Sequence, residues 1–390
     1  MGIRNLMVII KKHCPENVWN RLITLEELPK PHGINYTRVA VDTSLLMYKY
    51  RHASIKVEKE TSDIHIIGFI NRIAFYLKSN TIPFFVFDGK PPAEKEQTLT
   101  ERRIYKEKIE GNISVLEAKQ EKLEKLEKQE KLEPEQIQEL KQTKEEIERY
   151  KKNLIYVKKE HFKEIRTLLK ILGIKYFDPT EYNMEGEAEH ICSTYQKKGI
   201  VDHVVTDDTD TFVFGATSVI RSAKKGKIQH MYLNDILQGL KLNHDEFIDF
   251  CILCGCDYCG TIPKVGPVGA YAAITKFKSI EKWLESKPSI IKEDSKEFVD
   301  FNNNYVKARE IFKKEYEYVD PELINLNKEC IEGSQISDNS FIDSFKEEEL
   351  KSFLKNKNWE TTAITKTVSK IKKVRLKYES CVMTGKKSRG

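Results

Sequence analysis

No run of apolar residues in this 390-residue chain approaches the roughly eighteen that a membrane span needs. That excludes a helical membrane protein. The first residues, Met1-Gly2-Ile3-Arg4-Asn5-Leu6, lack the charged, apolar and small-residue regions of a secretory signal. Position 6 is Leu rather than Ser or Thr, which argues against myristoylation. The expectation is an intracellular chain whose eight cysteines are reduced thiols, so the sequons at Asn35 and Asn112 carry no meaning. Apolar residues are somewhat sparse at 39%, and charged residues plentiful at 32%. One very charged central segment accounts for much of that, so a core can form elsewhere. The net charge of +6 is compatible with a nucleic-acid partner without requiring one. The length suits one large α/β domain or two smaller ones.

What is present is an alternation of strand and helix patterns. Arg38-Val39-Ala40-Val41-Asp42 reads as a strand ending in an acid, followed by helical spacing over 43–50. Residues 64–78 are apolar at helical intervals. Ile82 to Asp88 is a second strand ending in an acid, which makes a βαβ unit with a parallel sheet. Over 101–164 the composition shifts to Glu, Lys, Gln and Leu. Leu116, Leu123 and Leu126, then Ile137, Leu140, Ile147 and Leu154, follow heptad-like spacing on either side of Pro134. This predicts two long helices folded back as a projecting hairpin; a disordered charged linker is the competing reading. Beyond it come a helix over 161–172 ended by Gly173, a strand over 174–178, a helix opening at Glu185-Gly186-Glu187-Ala188-Glu189, and a strand over 203–207. Helices over 245–254 and 270–277 follow, then a polar helical region with a basic tail.

The acids form the pattern that carries chemistry. Asp42, Asp88 and Asp207/Asp208 end predicted parallel strands, the edge at which open α/β sheets bind ligands. Glu187 and Glu189 open a helix; being two apart they cannot share its face, so at least one lies on the entering loop. Asp208 and Asp210, two apart in extended chain, point the same way. Any one of these acids could be a turn former or a helix cap. Together they are a set of hard oxygen donors suited to Mg2+ or Mn2+, and a pair of such ions suits in-line displacement at a phosphodiester. Cys251, Cys254, Cys256 and Cys259 mimic a metal motif, but Asp257 lies inside it and two of the four fall on an apolar helix, so buried reduced thiols are the better reading.

The chain resembles the flap endonuclease/XPG family of structure-specific 5′ nucleases. The resemblance rests on Met1-Gly2-Ile3, Val41-Asp42-Thr43-Ser44, Val86-Phe87-Asp88-Gly89-Lys90-Pro91-Pro92, Glu187-Ala188-Glu189, Thr206-Asp207-Asp208-Thr209-Asp210 and Gly255-Cys256-Asp257-Tyr258, in the family's order. It covers residues 1 to about 280, with weaker similarity near Glu347–Lys370.

The resemblance implies an α/β fold with a mostly parallel central sheet flanked by helices, a PIN-like 5′ nuclease core carrying a helical arch and a helix–two-turn–helix region. It divides the chain into nuclease segments at 1–100 and 161–258, an arch at 101–160, a DNA-binding region at 259–320 and a basic helical region at 321–390. Asp42, Asp88, Glu187, Glu189, Asp208, Asp210 and Asp257 match metal-site acids, with Glu187 and Glu189 mostly on one Mg2+ ion and Asp208 and Asp210 mostly on a second. Mn2+ would substitute, and K+ would sit at the helix–two-turn–helix. Asp207 matches an acidic position without a ligand role. Lys95 and Arg102 match positions that hold the scissile phosphate, Tyr48 a stacking aromatic, and Gly2 a close approach to DNA. Gly266 and Lys276 fall in the duplex-gripping region.

The chain departs from the family pattern at three places. Lys264 stands where a glycine is usual, Val268-Gly269 where a basic pair is usual, and the arch carries about as many acids as bases, with Lys151, Lys152, Lys158 and Lys159 nearest to its usual late basic pair. The implied activity is Mg2+-dependent cleavage of DNA at 5′ flaps or duplex–single-strand junctions in replication or repair, by a monomer in the nucleus or at a viral replication site. Within the family the alternatives are a processive 5′–3′ exonuclease or a Holliday-junction resolvase; outside catalysis the alternative is an inactive DNA-binding module. No sliding-clamp peptide is evident.

Overall fold

The strand-forming runs are short, and most are apolar on both sides, as expected of strands covered by helices on both faces. The computed structural model describes residues 3, 5–30, 35–55, 63–129, 133–154, 157–221, 226–318 and 342–384. Gly2 and the terminal GKKSRG lie outside these. Among the described residues one seven-stranded sheet is formed by β1 (Leu22–Ile23), β2 (Thr37–Asp42), β3 (Thr81–Val86), β4 (Tyr176–Phe177), β5 (His203–Val205), β6 (Ser218–Arg221) and β7 (Ile228–Tyr232). Its order is β1-β7-β6-β5-β2-β3-β4. β4, β3, β2, β5 and β6 run parallel, while β7 and β1 are antiparallel additions. The fold is thus α/β with a mostly parallel sheet.

Alternation along the strands divides two cores. Val39, Val41, Phe85, Val205 and Ile220 face one layer with Ile70 and Ile73 of the helix Ile64–Lys78 and Leu168 and Leu169 of the helix Lys159–Leu172. Ala40, Phe84, Val204 and Val219 face the other, with Ile191 of the helix Ala188–Lys197 and Phe247, Phe250 and Cys251 of the helix His244–Cys254. The helices Glu347–Lys355 and Thr361–Thr384 cover the first layer through Leu350, Leu354, Val368 and Ile371.

The charged central segment is helical. Helices Glu96–Glu127 and Pro134–Asn153 form an antiparallel hairpin. Glu133 and Gln136 make a capping box at the start of the second helix, with Pro134 in its first turn. Ile109, Ile113, Leu123, Leu140, Ile147 and Leu154 are buried along the seam. Ile137, expected in the seam, is 55% exposed near the tip. Cross-helix pairs Lys119–Glu139 at 2.6 Å, Lys144–Glu124 at 2.9 Å and Lys151–Glu117 at 2.7 Å tie the two helices together.

Three local differences from the sequence reading have physical causes. The strand over 174–178 shortens to Tyr176–Phe177, because Asp178 leaves the ladder to accept from Thr180 N–H and from Arg166. β5 stops at Val205, because the chain bends at Asp207 and Thr209 to start a one-turn helix at Asp210. β6 and β7 are short, and their mixture of His, Gln, Ser and Arg gives little strand signal.

Gly173 ends the helix Lys159–Leu172 at φ 64° and accepts from Asp343 N–H at 2.8 Å. A Cβ there would be driven into the Asp343 backbone. Gly173→Ala is expected to destabilise the fold by about 2 kcal/mol, from the left-handed backbone and the clash together. Urea denaturation measures this; an unchanged midpoint would refute the packing account.

Candidate metal and nucleic-acid site

Parallel strands deliver their C-terminal ends to one edge of the sheet, and the acids gather there. Asp42 is the last residue of β2. Its carboxylate accepts from Leu45 N–H at 2.9 Å and from the Thr206 hydroxyl at 2.9 Å. Asp88 lies two residues beyond β3 and accepts from Ala188 N–H at 2.8 Å, which ties it to the start of the helix bearing the glutamates. Glu187 is the residue before that helix and Glu189 is in its first turn, as the two-residue spacing required. Asp208 accepts from Asp210 N–H at 3.2 Å across the bend, and Asp210 accepts from Ile3 N–H at 2.6 Å. Because the chain turns rather than extends here, Asp208 and Asp210 meet through a local hydrogen bond instead of by strand alternation.

The cationic partners come from the base of the hairpin. Lys95 closes a short 3-10 turn, is 8% exposed, and reaches Glu187 and, at 3.1 Å, Asp257. Arg102, on the first hairpin helix, donates to both oxygens of Asp257 at 2.9 and 2.8 Å. The Thr98 hydroxyl donates to the Asp257 carbonyl at 3.0 Å. Tyr258 donates its hydroxyl to Glu187.

Electrostatics show what the arrangement imposes. Burial, and then the charge of Asp88, pushes the Asp42 carboxyl up to about 7. Burial also raises Asp88 and Asp208. It lifts Glu189 well above its ordinary value, with Glu187, Asp208 and Asp88 adding to it; Asp210 is raised in the same way, with Asp208 and Asp257. Burial works against the Lys95 ammonium, but Glu187, Glu189 and Asp257 outweigh it and hold the group above the usual lysine range. Among the described residues, Lys95 and Arg102 are the cations that pair directly with these carboxylates, at Glu187 and Asp257.

Every donor in the set is a carboxylate oxygen. His190, beside Glu189 in sequence, instead stacks on Phe214 at 4.6 Å and hydrogen-bonds the Lys314 carbonyl. Hard oxygen donors carrying excess negative charge fit Mg2+ or Mn2+. Among the described residues, no three are already drawn together as a closed cation cage; Glu187 and Asp257 are spread around the Lys95 ammonium.

Asp207, adjacent to Asp208, is paired elsewhere: with Lys49, and with Arg221 at 3.7 Å. Tyr48 lies on the helix Thr43–Ile55, 39% exposed. Its hydroxyl is raised by burial and by the Asp88 charge, with Arg102 opposing. Lys49, Thr98, Thr206, Arg221 and Tyr258 carry no separate sequence signal, although Tyr258 adjoins Asp257 and Thr206 adjoins the acid run.

The residues expected in a helix–two-turn–helix flank one helix. Gly266 precedes the helix Pro267–Phe277, and Lys276 lies 5.0 Å from the Phe277 ring centroid. Lys264 has φ 67°, the backbone conformation that a glycine adopts without strain.

Two predictions follow from this geometry. Without divalent ions, the raised Asp42 carboxyl makes a contribution to stability that is present near pH 4 and lost as the pH rises through about 7. Asp42→Asn removes that burden while the Thr206 hydroxyl can rotate to keep a bond. It should therefore stabilise the protein by roughly 1–2 kcal/mol at pH 8 in EDTA, with a smaller gain at pH 5. Thermal melts at both pH values check this, and a pH-independent gain would refute the electrostatic cause. Lys264→Gly should stabilise by about 1 kcal/mol by relieving the left-handed backbone; a loss of stability would mean that the lysine side chain outweighs the strain.

Two family models match the chain: the XPG N-terminal domain over residues 1–109 and the XPG I-region over residues 182–257. Flap endonuclease 1 of Aedes aegypti is 34% identical over 302 residues, covering 74% of this chain and 70% of that protein. Flap endonuclease 1 of Danio rerio is 33% identical over 300 residues, covering 73% and 69%. Among solved structures, the catalytic core of Rad2 in complex with DNA substrate superposes with a TM-score of 0.58 at 20% identity, covering 95% of this chain and 99% of that one. Flap endonuclease-1 from Methanococcus jannaschii gives 0.57 at 21%, covering 96% and 99%. The Holliday junction-resolving enzyme GEN1 in complex with product DNA and Mg2+ gives 0.54 at 17%, covering 90% and 75%. The structural likenesses are of fold; the 34% identity over three quarters of the chain is closer, and on it this chain belongs to the flap endonuclease/XPG family of structure-specific 5′ nucleases.

Proposed function

We propose that this chain is a Mg2+-dependent 5′ nuclease that hydrolyses DNA phosphodiesters where a duplex meets a 5′ single strand, a 5′ flap in particular. The observation that carries the reading is the convergence of carboxylates from five chain segments with Lys95 and Arg102 at the foot of the helical hairpin. The GEN1 complex, which shares the fold, contains product DNA and Mg2+. Asp42, Asp88, Glu187, Glu189, Asp208, Asp210 and Asp257 would hold the ions. When bound, paired divalent ions lower the pKa of an attacking water and take up charge on the leaving oxygen.

The chain's own residues do the rest. Lys95 and Arg102 pair with Glu187 and Asp257 at the site, and they would bind the non-bridging oxygens of the scissile phosphate. Charge developing on the phosphate is then met by donors already in place. Tyr48, partly exposed, offers a ring to the adjoining base. Asp207 leaves the donor set to fix Lys49 and Arg221.

The hairpin favours a flap over a four-way junction as the preferred substrate. Its first helix has 32 residues, about 48 Å, and rises directly from the Lys95–Arg102 base. A single strand can pass such an obstacle more readily than a duplex arm. Three of its lysines, Lys119, Lys144 and Lys151, are engaged in cross-helix pairs with Glu139, Glu124 and Glu117.

A panel of 5′-flap, nicked, gapped and four-way DNA substrates with Mg2+ tests the reading. The flap should be cut fastest, EDTA should abolish cleavage, and Mn2+ should restore it. Asp208→Asn should lower flap cleavage by about a hundredfold or more while binding is retained. Full activity in that variant would sink the site assignment, and preferred cleavage of four-way junctions would replace the flap reading with a resolvase.

A further inference from the structure

Cys256 and Cys259 flank Asp257 and Tyr258, the two residues that join this turn to the acid cluster. Their sulfurs lie 3.7 Å apart, and both are free, partly exposed thiols. Cys251 and Cys254, by contrast, are buried on the helix His244–Cys254. The chain makes a turn at Asp257-Tyr258. The first and fourth residues of such a turn have Cα atoms within about 7 Å, inside the span a disulfide bridges. A cleft of about 1010 Å³ at the hairpin base is lined by Cys256, Asp257, Cys259 and Gly260, so a small oxidant has access.

We propose that Cys256 and Cys259 are a modification site: they close to an intramolecular disulfide that displaces Asp257 and switches the site off. The bond requires the sulfurs to approach to about 2 Å, well over an ångström closer than they stand. Both cysteines belong to the turn that carries Asp257 and Tyr258, so closing the bond moves that turn. Asp257 is held there by Arg102 at 2.9 and 2.8 Å and by Lys95 at 3.1 Å, and Tyr258 donates to Glu187. A shift of about 1 Å in such a site is enough to cost on the order of a hundredfold in rate.

The oxidant is a peroxide. One thiolate sulfur attacks a peroxide oxygen, the O–O bond breaks, and hydroxide leaves and is protonated to water, giving a sulfenic acid. The second sulfur attacks that sulfenic sulfur, the S–O bond breaks, and a second water leaves with the thiol proton. Two thiols lose two hydrogens and two electrons overall, and hydrogen peroxide becomes two waters. A dithiol reductant reverses the link.

The test uses the full reduced chain treated with hydrogen peroxide, then mapped by peptide mass and assayed on a 5′ flap with Mg2+. The expected result is a Cys256–Cys259 link, a fall in cleavage on the order of tenfold or more, and recovery with dithiothreitol. Cys259→Ser should cleave equally well before and after peroxide. A link involving Cys251 or Cys254, a Cys256–Cys259 link without loss of cleavage, or a Cys259→Ser variant still inhibited would each overturn the proposal. The switching effect rests on the nuclease reading, but the mass map does not. A reduced chain that never cuts DNA would refute the function while the map still decides whether the link forms.

Discussion

Carboxylates that repel one another where water cannot screen them dominate the C-terminal edge of the sheet. Two unit charges about 4 Å apart interact by about 4 kcal/mol even at an effective dielectric near 20. A few such pairs rival the roughly 5–15 kcal/mol by which a domain is stable at all. The fold meets this in several ways at once. It raises the carboxyls of Asp42, Asp88, Glu189, Asp208 and Asp210 so that they hold protons more tightly. It inserts Lys95 between Glu187 and Asp257, and it feeds backbone N–H groups of Ile3, Leu45 and Ala188 to Asp210, Asp42 and Asp88. These devices lower the cost of keeping the acids together, and a bound cation would lower it further.

The same constraint explains why the hairpin starts where it does. Lys95, Thr98 and Arg102 all stand at its base, and all three contact Asp257. The orientation of the hairpin and the charge balance of the site are therefore one problem. Further out, the hairpin closes on itself through a narrow apolar seam and exposed ion pairs, each contributing a fraction of a kcal/mol. Its rigidity near the site comes from the acids, and its rigidity near the tip comes only from its own seam.

The strand ends were legible because burial on both faces writes a strand as an apolar run, and an acid that stops such a run stands out. Asp42 and Asp88 were found in this way. The helix Ile64–Lys78 matched its periodicity to the residue because its apolar face is wide. The hairpin was legible from periodic leucines between strong helix formers, yet Ile137 followed that period and still lies exposed, because periodicity cannot tell where a seam ends. β6 and β7 were not legible, since short strands carrying His, Gln, Ser and Arg resemble turns. Lys49, Arg221, Thr206 and Tyr258 were invisible for another reason: their roles depend on contacts across the fold, such as Arg221 at the end of β6 meeting Asp207 after β5. The separation of Asp207 from Asp208 came from the family resemblance, and the ion pairs with Lys49 and Arg221 give it a physical basis.

The acid cluster cannot say which DNA structure this chain prefers, because the chemistry of hydrolysis is the same for a flap, a nick or a junction. In the proposed nuclease, discrimination would lie in surfaces that hold the DNA away from the cut, the 260–270 turn among them. Lys264 accepts a left-handed backbone where a glycine is usual, and Val268, without a charge, is exposed in the first turn of the helix that follows. Lys264 puts a positive charge before Gly266, and Lys276 stands at the far end of the helix that follows, against the Phe277 ring. Phosphate contacts set register and orientation on a duplex rather than sequence choice. In the proposed nuclease, contacts placed differently there would change which bend or branch is presented to Lys95 and Arg102. Substrate preference would then be set by the hairpin and the 260–270 turn rather than by the seven acids.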